Sequence, residues 1–142
     1  MGKDWFRRML DRKLAALAGV VMGAALSTGP AWAGPTPAPV RAEINALMGR
    51  LESAGCQFYR NGDWHNGAEA KSHLLRKLDS IEGQTTVTKT EQFIELAASR
   101  SSTSGQPYQV KCGASAPVPS ATWLGSQLQN LRAAPAAASS PR

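Results

Sequence analysis

The chain has 142 residues, with 16 Lys and Arg against 10 Asp and Glu, a formal charge of +6. That length holds one small domain and excludes most two-domain enzymes. Half of the excess charge lies in the first thirteen residues, where Lys3, Arg7, Arg8, Arg12 and Lys13 outnumber Asp4 and Asp11. A chain that loses this segment loses most of the basicity on which nucleic-acid binding would rest, so no nucleic-acid partner is expected.

Residues 1–33 read as a secretory signal peptide. A basic start is followed by the uncharged run Leu14–Leu26 and then by Ala31-Trp32-Ala33, an A-x-A site. Thirteen helical residues rise about 20 Å, too little for a hydrocarbon core about 30 Å thick. Cleavage is expected between Ala33 and Gly34, with no membrane anchor afterwards and a periplasmic or secreted product. Residues 34–39 form a Pro-rich, extended lead-in in which no helix should start until the prolines end. Residues 40–132 form the folded domain, and 133–142 an Ala/Ser/Pro tail too poor in apolar bulk to pack.

Val40, Ile44, Leu47, Met48 and Leu51 recur at helical spacing, and Gly55 supplies the stop. Cys56–Arg60 reads as a strand, Asn61-Gly62 as a hairpin turn, and Asp63–His65 as the return strand. Asn66 or Gly67 opens a second helix to about Glu82, with Ala70, Leu74, Leu78 and Ile81 along its apolar stripe. Thr88–Glu91 matches a capping box and should start a third helix carrying Phe93, Ile94 and Ala97. Ser99–Pro107 is a polar loop and Tyr108–Cys112 a third strand. Pro117 and Pro119 end the connection, and Ser120 should cap a last helix bearing Trp123, Leu124, Leu128 and Leu131. The order α-β-β-α-α-β-α describes an α+β domain with a three-stranded antiparallel sheet packed by helices.

The core is thin: Leu, Ile, Val, Phe and Met supply 19 of the 109 residues after the expected cleavage. Two cysteines in an exported chain pair by default, so a Cys56–Cys112 disulfide is expected. Antiparallel pairing of the first and third strands sets Cys56 opposite Cys112, Phe58 opposite Val110 and Arg60 opposite Tyr108. Cys56, Phe58, Val110 and Cys112 then share one buried face.

Signatures of catalysis are sparse, with no G-x-S-x-G, Ser-x-x-Lys, H-E-x-x-H or glycine-rich phosphate loop. Asp63 and His65 on one strand face, with Glu69 and His73 at i and i+4 on a helix, are a metal-ligand constellation on spacing alone. The ordinary alternative is a solvated pair on each element. The Ser99–Ser104 run, with Arg100 and Gly105, reads either as an anion or sugar cradle or as a flexible polar connection. Ser104 with His73 is a nucleophile–base pairing to test. Arg60 and Lys77 are candidates for an acidic ligand, Trp64 for an exposed anchor, and Trp123 for the core.

Arg60-Asn61-Gly62, Glu69-Ala70, His73-Leu74, Thr90-Glu91, Phe93-Ile94, Ser102, Ser104-Gly105, Pro107-Tyr108 and Trp123-Leu124 occur in an order and spacing that resembles a small exported proteobacterial family. It is a domain of unknown function that includes the YfeK-like proteins. The resemblance runs from about Ile44 to Leu131 and departs at Gln106, where a basic residue is common, and at the variable Trp64-His65. It implies an exported domain with no assigned activity or cofactor. Carried onto this sequence, a shared surface would use Arg60, Asn61, His73, Ser104, Gly105 and Tyr108. The function expected is a non-enzymatic module that binds an envelope protein or cell-wall component. The alternative is a small hydrolase or metal-dependent enzyme using His73 with Ser104, or with Glu69 and Asp63.

Overall fold

The structure is a computed structural model and describes residues 33–134. The expected leader therefore lies outside the described residues except for Ala33, and the expected tail except for Ala133 and Ala134. Among the described residues, four helices and four strands follow one another as α1 (Ala38–Ser53), β1 (Gln57–Arg60), β2 (Asp63–His65), α2 (Gly67–Glu82), α3 (Thr90–Ala98), β3 (Gln109–Lys111), β4 (Val118–Pro119) and α4 (Ser120–Ala133). The α+β class holds, but the sheet has four strands in the order β2-β1-β3-β4, all antiparallel. The extra strand, β4, pairs Val118 with Val110 and Pro119 with Gln109. Proline lacks the N–H of a ladder donor and is tolerated on an edge strand, which is where Pro119 lies.

The β1–β3 register matches the sequence expectation, with Phe58 opposite Val110 and Gln57 opposite Lys111. Cys56 and Cys112 lie one step further along and form the disulfide. Cys56, Phe58 and Val110 are buried, while Cys112 is half-buried. The ladder stops at Tyr59↔Gln109, so Arg60 and Tyr108 are not a ladder pair as expected. The Tyr108 backbone turns elsewhere: its N–H donates to the Ser99 carbonyl and its own carbonyl accepts from Ser120 N–H.

α1 packs against α2, α3 and α4, α2 touches β1, and α4 reaches β3 and β4. Ile44, Leu47, Met48, Leu51, Leu78, Phe93 and Leu124 are fully enclosed between these helices. Trp123 is half-buried against this core and meets Phe58 edge to face, with ring centroids 5.7 Å apart. The entry to α2 passes so close to the end of α1 that a Cβ on Gly67 would stand 2.7 Å from the Leu51 carbonyl oxygen. Only glycine fits there.

Three helix starts depart from expectation. Pro39 sits inside the first turn of α1, and the lead-in is shorter than residues 34–39. First-turn N–H groups have no intrahelical partner, so proline costs nothing there. The capping box forms at Asn66 and Glu69 of α2 rather than at Thr88 and Glu91. Thr88 instead donates through its N–H and hydroxyl to Gln92 Oε1, while Arg132 draws the Glu91 carboxylate away. Ser120 is the first residue of α4 rather than its cap. It is buried, with no side-chain capping bond at that end.

Candidate functional site

Strand alternation sets Arg60 on the helix-facing side with Phe58, and Tyr108 on that side with Val110. Both emerge at the end of the sheet beside α2, where His73 follows the buried face made by Leu74 and Leu78. Arg60 Nη1 lies 2.5 Å from His73 Nδ1, and His73 Nε2 lies 3.1 Å from the Tyr108 hydroxyl. A guanidinium only donates, so Nδ1 accepts and the imidazole carries its proton on Nε2, which donates to Tyr108. One turn further along α2, Lys77 Nζ donates to the Arg100 carbonyl at 3.0 Å and sits 5.1 Å from the Tyr108 ring centroid. Its ammonium also approaches the Tyr108 hydroxyl at 3.5 Å.

The electrostatics follow from this crowding. Burial, and then the charges of Arg60, Lys77, Arg76 and His65, push the His73 pKa down to about 4, so the ring is neutral at ordinary pH. Burial lowers the Lys77 pKa and raises that of Tyr108, the latter against the opposing pull of Arg60 and the Ser101 hydroxyl. A cleft of about 30 Å³ between Phe58, Leu74, Arg60, His73 and Tyr108 has room for only a water or two. Outside it opens a wider groove of about 500 Å³, bordered by Arg60, His65, Ala68, Glu69, Ser72 and Arg76.

The remaining residues of the expected surface join at the hairpin tip. Asn61 adopts φ 51° and Gly62 φ 101°, the left-handed pair that a tight two-residue turn requires. The Ser104 hydroxyl donates to Asn61 Oδ1 at 2.7 Å, tying the serine-rich loop to the hairpin. Within that loop the buried Ser101 hydroxyl accepts from Thr103 and Ser104 N–H, and its carbonyl accepts from Gly105 N–H. The Gln106 N–H donates to Ser104 Oγ. These four donors are engaged inside the loop rather than free to cradle an anion.

Arg60, His73 and Tyr108 thus form one hydrogen-bonded line, with Asn61, Ser104 and Gly105 beside it through the hairpin. The His73–Ser104 pairing does not form: His73 is engaged by Arg60 and Tyr108, and Ser104 by Asn61. Nor do Asp63, His65, Glu69 and His73 converge. His65 stands 3.7 Å from Glu69, and both border the small cleft with His73, but Asp63 is exposed at the ladder end opposite Arg60, and the His73 ring nitrogens are taken by Arg60 and Tyr108. Among the described residues no group of three or more His, Cys, Asp or Glu side chains is placed to hold a metal ion. Trp64 is 38% exposed, packed on Tyr59 and overlain by Lys111 on the sheet's outer face. Sequence reasoning passed over Arg76 and took Ser101 only as one member of the Ser99–Ser104 run. The i+3 spacing of Arg76 from His73 was the available signal for the first, and nothing local distinguished Ser101 from its serine neighbours.

Comparison with known proteins places the chain in a family. Residues 38–132 match the model of DUF5329, a family of unknown function, and the chain belongs to it. It is also 45% identical over 86 residues, 60% of this chain and 69% of the relative, to the uncharacterized protein YfeK of Salmonella typhimurium. No solved structure matches the chain.

Proposed function

We propose that the chain is exported, is cleaved between Ala33 and Gly34, and acts in the periplasm or outside the cell as a non-enzymatic module that binds an envelope component. The observation that carries this reading is the hydrogen-bonded line Arg60–His73–Tyr108, continued by Asn61 and Ser104 at the hairpin tip. A general base needs a free lone pair within reach of the proton it takes. His73 offers none, because Nδ1 faces a guanidinium and Nε2 carries the proton. A binding surface profits from the same rigidity, since side chains already fixed lose less freedom when a ligand arrives.

Two features support export. The disulfide belongs to an oxidising compartment. The residues after the expected junction are held to the domain: Gly34 N–H donates to Thr86 Oγ1 and Thr36 N–H to Glu82 Oε1, both at 2.9 Å. A new terminus at Gly34 would already be docked.

The test is cosedimentation of residues 34–142 with isolated cell envelopes, with membranes and sacculi assayed separately. Wild type should pellet with one fraction, and Arg60→Gln and Asn61→Ala should stay largely in the supernatant. Supernatant recovery of all three proteins, or ester hydrolysis abolished by His73→Gln, would overturn the reading.

A further inference from the structure

Ten Lys and Arg side chains lie among the described residues, and most, Arg50, Lys89, Arg100 and Lys111 included, make no salt bridge there; what distinguishes three of them is that they stand together. Arg41, Lys71 and Arg132 each meet a carboxylate, respectively Glu82, Glu52, and Glu43 with Glu91. Arg60, Arg76 and Lys77 form no salt bridge among the described residues; their polar partners are the neutral His73, Ser72 and the Arg100 carbonyl. These three lie within one stretch of surface, where each charge opposes protonation of His73. Asp63 stands opposite Arg60 in the ladder and Glu69 borders the groove, but neither forms a salt bridge with these cations, so three charges face two carboxylates and the groove concentrates the surplus positive potential.

The groove lies beside the hairpin and the first half of α2, with the Arg60 and Arg76 guanidiniums and the Ser72 hydroxyl on its walls. Its single carboxylate, Glu69, is engaged locally: Oε2 accepts from Asn66 N–H at 3.0 Å, and His65 lies 3.7 Å away. Arg60 uses one N–H on His73 and keeps the rest of its fork, held in place from behind by a neutral acceptor. Paired guanidiniums match groups that present two or more oxygens in a plane or a pyramid.

We infer that this groove is an oxyanion site, in which Arg60 and Arg76 together grip a carboxylate or phosphate group carried by the ligand, with Ser72 donating a further hydrogen bond. The inference rests on the binding reading above and names the chemistry of what is bound. The small volume behind Arg60 limits the ligand to lying across the groove, with its charged group inward and the rest of the molecule in solvent.

The experiment is a titration of residues 34–142, labelled with ¹⁵N, with inorganic phosphate and separately with acetate. Saturable shifts should appear at residues 60, 65, 68, 69, 72 and 76, and should weaken as sodium chloride is raised. Arg76→Gln, an exposed change that should leave the fold intact, lowers the affinity about tenfold, as losing one charged hydrogen bond does. No saturable shift with either anion, or unchanged affinity in a folded Arg76→Gln, overturns the site. Vesicles of phosphatidylglycerol separate the sources of the group. Partition that phosphate competes away assigns a lipid headgroup, whereas phosphate binding without partition assigns a soluble or polymer-borne ligand. Each result supports the site. The two readings fail separately. Anion binding with no envelope association removes the envelope function alone, and envelope association lost in Arg60→Gln without anion binding removes the oxyanion site alone.

Discussion

Protonating His73 places a second positive charge against Arg60 Nη1, 2.5 Å from Nδ1, with Lys77 and Arg76 adding to the repulsion. The folded pKa of about 4 lies below the 6.5 of an ordinary histidine, so between those values the unfolded chain binds more protons than the folded one. Stability from this residue is complete above pH 6.5 and is lost as the pH falls towards 4. The carboxylates act in a lower window. Hydrogen bonds from Arg132 and then Thr90 hold Glu43 below the usual carboxylate range, and Arg132 does the same for Glu91. Their contribution is present above the unfolded pKa of 4.5 and fades below it. Wild type should therefore lose melting temperature between pH 6.5 and 4.5 faster than His73→Gln, which keeps an acceptor and a donor but does not titrate. Parallel melting curves over that range would show that His73 is not held neutral by its neighbours.

Among the elements, two glycines give opposite expectations. Gly67 stands where α2 enters against the backbone of α1, so Gly67→Ala forces backbone apart and should destabilise the fold by about 1–3 kcal/mol. Gly49, inside α1 with open space around its absent Cβ, should gain roughly 0.5–1 kcal/mol on becoming alanine. Urea unfolding midpoints should move in opposite directions; a fall for both would deny the close approach its special role. What the sequence disclosed about these elements follows the range of the forces involved. Asn61-Gly62 dictates a tight turn by local sterics alone, and the cysteine pair then sets the β1–β3 register, so both could be read from the chain. β4 is only Val118 and Pro119, preceded by Pro117, and its only signature is a pairing partner that lies across a loop. The Thr88–Glu91 motif obeyed the local rule for a cap, yet Arg132, 41 residues away from Glu91, competes for that carboxylate and wins. The candidate site divides in the same way. Arg60 and Tyr108 come together through strand alternation, which a sequence displays, and His73 joins through the helix period. That His73 is spent on Arg60 rather than Ser104 depends on side-chain geometry that no spacing encodes.

For the whole molecule, covalent closure compensates for a sparse core. The Cys56–Cys112 bond closes a separation of 56 residues, worth roughly 4 kcal/mol in the chain-entropy model. Small domains have about 5–15 kcal/mol of stability in all, so reduction should remove a large share of it. Dithiothreitol should lower the melting temperature clearly, and an unchanged transition would mean that the helices alone sustain the fold. A disulfide persists in an oxidising compartment, and the proposed envelope ligand would be met only there, which makes export the premise of the proposed function. Its most direct test is the intact mass of the full chain expressed in a bacterium and recovered from the periplasm, measured with and without reductant. The predicted result is the mass of residues 34–142 less two hydrogens, regained on reduction. A mass of all 142 residues, or a cytoplasmic product with two free thiols, would contradict it.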